Sequence, residues 1–195
     1  GIEIVAGFDD LSTYLGFAGF YGATVGRVCN RIVGASFEMD GKVYELTKNN
    51  GENCLHGGSD AFHTKAWDVL EYGADYALLG YSAPDGQSGF PGNIEVKARY
   101  TLVGPELRLE YTAIPDRRTP VMMTSHSFFN LESHTTDVKA HRLRIYADRY
   151  TEINERRLPT GNRPEVEGTP YDFRTEKKLG EGFADPYPMM QEFGG

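Results

Sequence analysis

Cysteine is scarce in this chain: among 195 residues there are only Cys29 and Cys54. Two thiols cannot build a disulfide framework, and they lack the partner cysteines of a structural zinc site. They fit a reducing, cytoplasmic compartment. Basic surface is also short, since 20 Lys and Arg stand against 28 Asp and Glu for a net charge of −8. That balance argues against a nucleic-acid partner, because binding phosphates needs concentrated positive charge. The basic pairs Arg117–Arg118, Arg156–Arg157 and Lys177–Lys178 are scattered and read as solvated edges and turns. No apolar run approaches the ~20 residues of a membrane span, so no membrane partner is expected. There is no signal pattern at the start, no internal repeat and no long amphipathic helix.

What remains is a chain rich in short alternating segments. Its length suits one domain with a sizeable core, and 39% apolar, 25% charged and 12% aromatic residues describe a globular protein. Ile2–Val5 reads as part of a strand, and Asp9–Tyr14 as a short helical turn capped by Asp or Ser. Phe37–Met39, Asp40-Gly41 and Lys42–Leu46 form the clearest hairpin, because the central dipeptide tolerates positive φ. Trp67–Leu70 and Tyr76–Ser82 are further strands. Ile94–Val103 alternates apolar and polar residues, turns at Gly104-Pro105 and pairs with Leu107–Tyr111. Leu143–Ala147 alternates again. Many strands at short spacing, joined by Gly, Pro, Asn and Asp turns, predict an all-β antiparallel sandwich.

The stretch with the most chemistry is Thr124–Leu131, in which His126 lies between Ser125 and Ser127 with Phe128 and Phe129 behind. In a strand, alternate residues share a face, which would group His126, Phe128 and Asn130. Imidazole exchanges protons near neutral pH, an aromatic plane suits the C–H face of a pyranose, and an amide bonds its hydroxyls. A core strand with one hydrogen-bonded histidine explains the same residues. Asn49–Gly58 places a second histidine, His56, beside Gly57 and Gly58, where the backbone could pass close to a ligand; a plain surface loop is the simpler reading. The glycines of Gly19–Ile32 are followed by neither a P-loop lysine nor the Rossmann spacing. A metal site built on His56 and His126 would lack the close His-x-His or His-x₃-His spacing that supports one.

Read together, Gly22–Ile32 (GATVGRVCNRI), Asn49–Gly58 (NNGENCLHGG), Gly89–Val96 (GFPGNIEV), Thr124–Leu131 (TSHSFFNL) and Ala147–Gly161 (ADRYTEINERRLPTG) resemble the aldose 1-epimerases, or galactose mutarotases. The resemblance implies a large antiparallel β-sandwich of the galactose mutarotase type. It would be a single domain over 1–195, incomplete at both ends. It implies interconversion of the α and β anomers of free aldohexoses such as galactose and glucose, with no metal and no organic cofactor. His126 would be the acid that serves the ring oxygen, and His56 the second catalytic histidine, holding the sugar near the reacting centre. Asn30 and Arg31 would contact sugar hydroxyls, and Phe128 would form a wall for the ring. The sequence specifies no oligomeric state.

Departures from the family pattern are Ser125 where Asn is common, Phe128 where Tyr is usual and Cys29 where Ala is common. A sugar-binding Asp and the general-base Glu that family members carry further along are not matched in these residues. Asp148, Glu152 and Glu167 lie outside the family's motif and are read as solvated carboxylates. The alternative function is therefore a non-catalytic carbohydrate-binding protein, or an inactive piece, that keeps the sugar contacts without the base. An N-terminal signal, if the protein has one, would lie outside these residues.

Overall fold

A computed structural model describes residues 2–16, 19–133 and 136–183. The chain divides into two compact units, Ala18–His126 and a second made of Gly1–Phe17 with Ser127–Gly195. In chain order the elements are α1 (Leu11–Gly16), β1 (Thr24–Val25), β2 (Arg31–Ile32), β3 (Ser36–Met39), β4 (Lys42–Glu45), β5 (Cys54–Leu55), β6 (Asp68–Tyr72), β7 (Tyr76–Ala83), β8 (Ile94–Val103), β9 (Glu106–Pro115), β10 (Thr124–Ser125), β11 (Arg142–Leu143), β12 (Lys177–Lys178) and α2 (Leu179–Phe183). Every paired strand is antiparallel.

The unit Ala18–His126 is built on the meander β6-β7-β8-β9. Its centre follows the alternation of the sequence, for Ile94, Val96 and Ala98 are buried while Glu95 and Lys97 face water. These side chains join Phe62 and Ala83 in one apolar cluster, against which Trp67, Tyr81, Ala113 and Met123 pack. The far end of the same strand departs from the expected pattern: Leu102 is 53% exposed although its register would bury it. A second cluster holds Ala35, Leu46, Cys54 and Phe90. The hairpin β3-β4 forms as its turn chemistry predicts, with Asp40 and Gly41 at φ of 54° and 73°, the pair of positive values that a two-residue turn between twisted strands needs.

Arg27 is the charged exception in this interior. It is 2% exposed, and its Nη1 donates to the carbonyls of Pro91 and Gly92 at 2.7 and 3.0 Å and to Thr119 Oγ1 at 3.0 Å. Its guanidinium also lies over the Phe90 ring, 5.7 Å from the centroid. Burial lowers its pKa. A buried cation is tolerated where hydrogen bonds replace its water; here the carbonyls of a tight turn and Thr119 do so at Nη1, while Nη2 is buried without a hydrogen-bond partner.

In the other unit the helical turn α1 is capped as expected, Asp10 accepting from the Thr13 N–H at 2.9 Å and from the Ser12 and Thr13 hydroxyls. The strand expected at Ile2–Val5 is reduced to a bridge between Val5 and Phe129. The alternation at Leu143–Ala147 yields only the two-residue β11, paired with β12, because regular strands need a partner of matching length to satisfy their backbone groups.

Candidate active site

The residues that the sequence singles out converge mainly in the loops at β2, β5 and β10. β2 pairs with β5, matching Arg31 to Leu55 and Ile32 to Cys54. Just outside this ladder the backbone N–H of His56 donates to the Asn30 carbonyl at 3.0 Å, and the Asn30 N–H donates back to His56 Nδ1 at 3.1 Å. Both residues have positive φ, 60° at Asn30 and 52° at His56. Left-handed backbone at two non-glycine residues is uncommon and marks a segment fixed by its surroundings.

The glycines after His56 explain how the loop gets so close. Gly57 has φ of 92°, and a Cβ there would overlap the carbonyl of Gly26. A Cβ at Gly58 would meet Thr47 and Ser88. The close approach that these glycines permit is therefore to the protein itself, to backbone at Gly57 and to the Thr47 and Ser88 side chains at Gly58. The asparagines of the same loop are occupied in holding it together. Asn49 pairs with Leu55 through both its amide atoms at 2.7 and 2.9 Å, and Asn53 accepts from the Gly34 N–H at 3.2 Å. Asn50 accepts from Arg31 Nε at 2.9 Å, which orients the guanidinium, and Asn30 Oδ1 accepts from the Arg31 N–H at 2.9 Å.

The bond from Asn30 fixes the state of His56. A ring nitrogen that accepts a hydrogen bond carries no proton, so the neutral ring is protonated on Nε2 and presents that N–H as a donor. Burial, and then the neighbouring His126, His63 and Arg31, push the His56 pKa down to about 4. At neutral pH His56 is thus an uncharged donor.

His126 follows β10, which pairs with β1 by matching Thr24 to Ser125. Its backbone N–H donates to Ala23 O at 2.8 Å, and its carbonyl accepts from the Gly22 N–H at 3.3 Å. The strand expected over Thr124–Leu131 ends at Ser125, so strand alternation does not group His126 with Phe128 and Asn130. His126 instead meets His56, with ring centroids 5.1 Å apart and planes at 86°. Phe128 falls in the other unit, where it is 43% exposed and its carbonyl accepts from the Ala6 N–H at 2.9 Å.

Sequence reasoning missed two residues of this cluster. Phe20 lies 4.6 Å from the His56 ring, 5.4 Å from His126 and 4.9 Å from a further histidine, His63. Nothing in the spacing of Phe20 or His63 marks them; only the fold brings them in. Among the described residues, no group of three or more His, Cys, Asp or Glu side chains is placed to hold a metal ion. The carboxylates outside the motifs are engaged elsewhere. Glu152 accepts from Thr160 Oγ1 at 2.6 Å and Asn162 Nδ2 at 2.8 Å, which lower its pKa, while Asp148 and Glu167 face Arg174.

A family model described as aldose 1-epimerase matches residues 1–191. The chain belongs to the aldose 1-epimerase family. Among curated relatives, the galactose mutarotase of Bos taurus is 41% identical over 182 residues, which is 92% of this chain and 52% of that protein. The aldose 1-epimerase of Escherichia coli is 35% identical over 93% of this chain and 53% of its own length. The chain therefore spans about half the length of these family members. Among solved structures, an aldose epimerase homologue from C. elegans superposes with a TM-score of 0.87 at 33% identity, covering 93% of this chain and 56% of that one. A galactose 1-epimerase from Lactobacillus acidophilus gives 0.88 at 28% identity, covering 98% and 58%. The fold is accordingly the antiparallel β-sandwich type of the galactose mutarotases, with open sheets. No helix among the described residues is long and apolar enough to cross a membrane.

Proposed function

We propose that residues 1–195 form a single galactose mutarotase-like domain that binds a free aldohexose, galactose or glucose, and supplies the acid side of anomer interconversion. The observation that carries this reading is the His56–His126 pair. One imidazole is locked as a neutral Nε2–H donor by the Asn30 N–H, and a second stands edge-on to it at 5.1 Å. Opening the ring requires that a base take the proton of the C1 hydroxyl while an acid protonates the ring oxygen. Rotation about C1–C2 and reclosure on the opposite face then give the other anomer. His126 is the acid in this scheme, the role the resemblance assigns to it, and a placed proton donor contributes about 10²–10⁴-fold. His56, held neutral, donates to a sugar oxygen and does not compete as acid. Arg31 and Asn30 contact hydroxyls, the guanidinium fork being oriented by Asn50. No cofactor enters the scheme.

The base is the carboxylate that the resemblance assigns to a Glu unmatched in these residues. Among the described residues the carboxylates weighed for that role are engaged elsewhere, Glu152 with Thr160 and Asn162, and Asp148 and Glu167 with Arg174. That observation favours a second reading for the chain by itself, a carbohydrate-binding module that holds the sugar without turning it over. Polarimetry separates the two. Fresh α-D-galactose should approach anomeric equilibrium faster with the 195-residue chain than without it, and His126→Ala should remove the acceleration, if the chain is catalytic. No acceleration supports the binding-only reading, and acceleration that survives His126→Ala overturns the acid assignment.

A further inference from the structure

Phe20 touches three imidazoles, and each is anchored from a different part of the Ala18–His126 unit. His56 is tied to Asn30, and His126 to the Gly22-Ala23 backbone two residues beyond Phe20 itself. His63 sits in the 3₁₀ turn Phe62–Thr64, whose Phe62 is 1% exposed in the meander cluster. That turn is closed by Thr64, whose N–H and hydroxyl both reach the Ala61 carbonyl, at 3.0 and 2.8 Å. It is further braced by the Trp67 indole N–H donating to Phe62 O at 3.0 Å and by the Lys65–Asp60 ion pair. The turn that carries His63 is thus braced, and the His63 ring packs edge-on against Phe20. Its Nδ1 is buried without a hydrogen-bond partner, so protonating this ring would put an unpaired charge indoors. Burial accordingly lowers its pKa.

We propose that Phe20 is the positioning residue of this site: backed by His63, its ring sets the mutual orientation of the His56 and His126 imidazoles and excludes water from the side of His56 that it covers. The proposal rests on the reading of His56 and His126 as the sugar-handling pair for its functional meaning, but not for its geometry. The aromatic contacts are edge-on at His56 and His63, with interplanar angles of 64° and 76°, and tilted at His126, at 34°. An aromatic ring in such contacts has a preferred angle that an aliphatic side chain of similar volume lacks. Phe20 and His63 therefore act through other groups. Neither is assigned contact with substrate.

The test is histidine NMR on the whole 195-residue chain, comparing the native protein with Phe20→Leu, Phe20→Ala and Phe20→Tyr. The ring protons of both His56 and His126 should move in Phe20→Leu and Phe20→Ala as the ring current disappears. The titration midpoint of His56, which burial together with His126, His63 and Arg31 holds at about 4, should rise by about one unit or more in Phe20→Ala as water enters. Phe20→Tyr, which keeps the ring, should preserve both signatures. A purely structural role would lower the melting temperature without moving the His56 midpoint. Should Phe20→Ala fail to fold, the Leu and Tyr variants carry the comparison. A folded Phe20→Leu with unchanged His56 and His126 resonances overturns the proposal. If those resonances move but galactose neither binds nor equilibrates faster, the positioning stands and the sugar reading falls.

Discussion

The two compact units are held together by different means. Residues Ala18–His126 contain both apolar clusters, with Phe62, Phe90, Ile94 and Val96 each 1% exposed. In the other unit, the buried hydrophobics among the described residues are Leu158 and Val166. There the chain is organised by turns, two-residue ladders and exposed ion pairs such as Arg149–Glu165 and Arg142–Glu176. The contrast bears on function because four of the five expected site residues, Asn30, Arg31, His56 and His126, lie in the densely packed unit. Proton transfer needs groups held to within a fraction of an ångström, and packed cores hold their neighbours that firmly while surface ion pairs do not.

The contrast can be broken by mutation. Phe62→Ala removes a fully buried ring and should cost about 3–5 kcal/mol in chemical denaturation. It should also loosen His63, visible as a moved His63 resonance. Gly57→Ala should cost about 1–3 kcal/mol or more, since the new Cβ would be strained by its φ and would overlap Gly26. The protection of the Asn30 amide against hydrogen exchange should fall with it. A third effect follows from His56, whose folded pKa of about 4 lies below the ordinary histidine value of 6.5. Between those values the unfolded chain binds the proton more readily than the folded one. Stability from this group is thus complete above pH 6.5 and is lost as pH falls toward 4. His56→Gln should flatten that part of the stability profile. At the small end, Arg149→Ala in the other unit should change stability by no more than about 1 kcal/mol.

How much of this was legible in the sequence differs between the units for the same physical reason. Where residues alternate over a long strand, as in β8, the period of two writes burial directly into the sequence. The hairpin at Asp40-Gly41 was equally plain, because turn chemistry is local. The expected strand over Thr124–Leu131 is regular only to Ser125; beyond it the chain keeps an isolated antiparallel bridge to residues 4–6, at Val5 and Phe129, an interruption that alternation of side chains does not reveal. The motifs identified Asn30, Arg31, His56 and His126 through family likeness, and the fold brings Asn30, Arg31 and His56 together and sets His126 against His56. Phe20 and His63 were invisible, since their roles come from packing among segments far apart in the chain. Two arginines four residues apart make the same point. Arg27 is sealed under the Pro91-Gly92 turn and Arg31 is half-buried and oriented by Asn50, and composition cannot tell them apart.

The central claim is that His56 and His126 face one bound sugar. The most direct measurement is a titration of the 195-residue chain with D-galactose, following the assigned imidazole resonances of both histidines. Saturable shifts at His56 and His126 together, weakened in Arg31→Ala, are the predicted result. Resonances that stay fixed at both histidines as galactose is raised far above ordinary hexose-binding concentrations would contradict it.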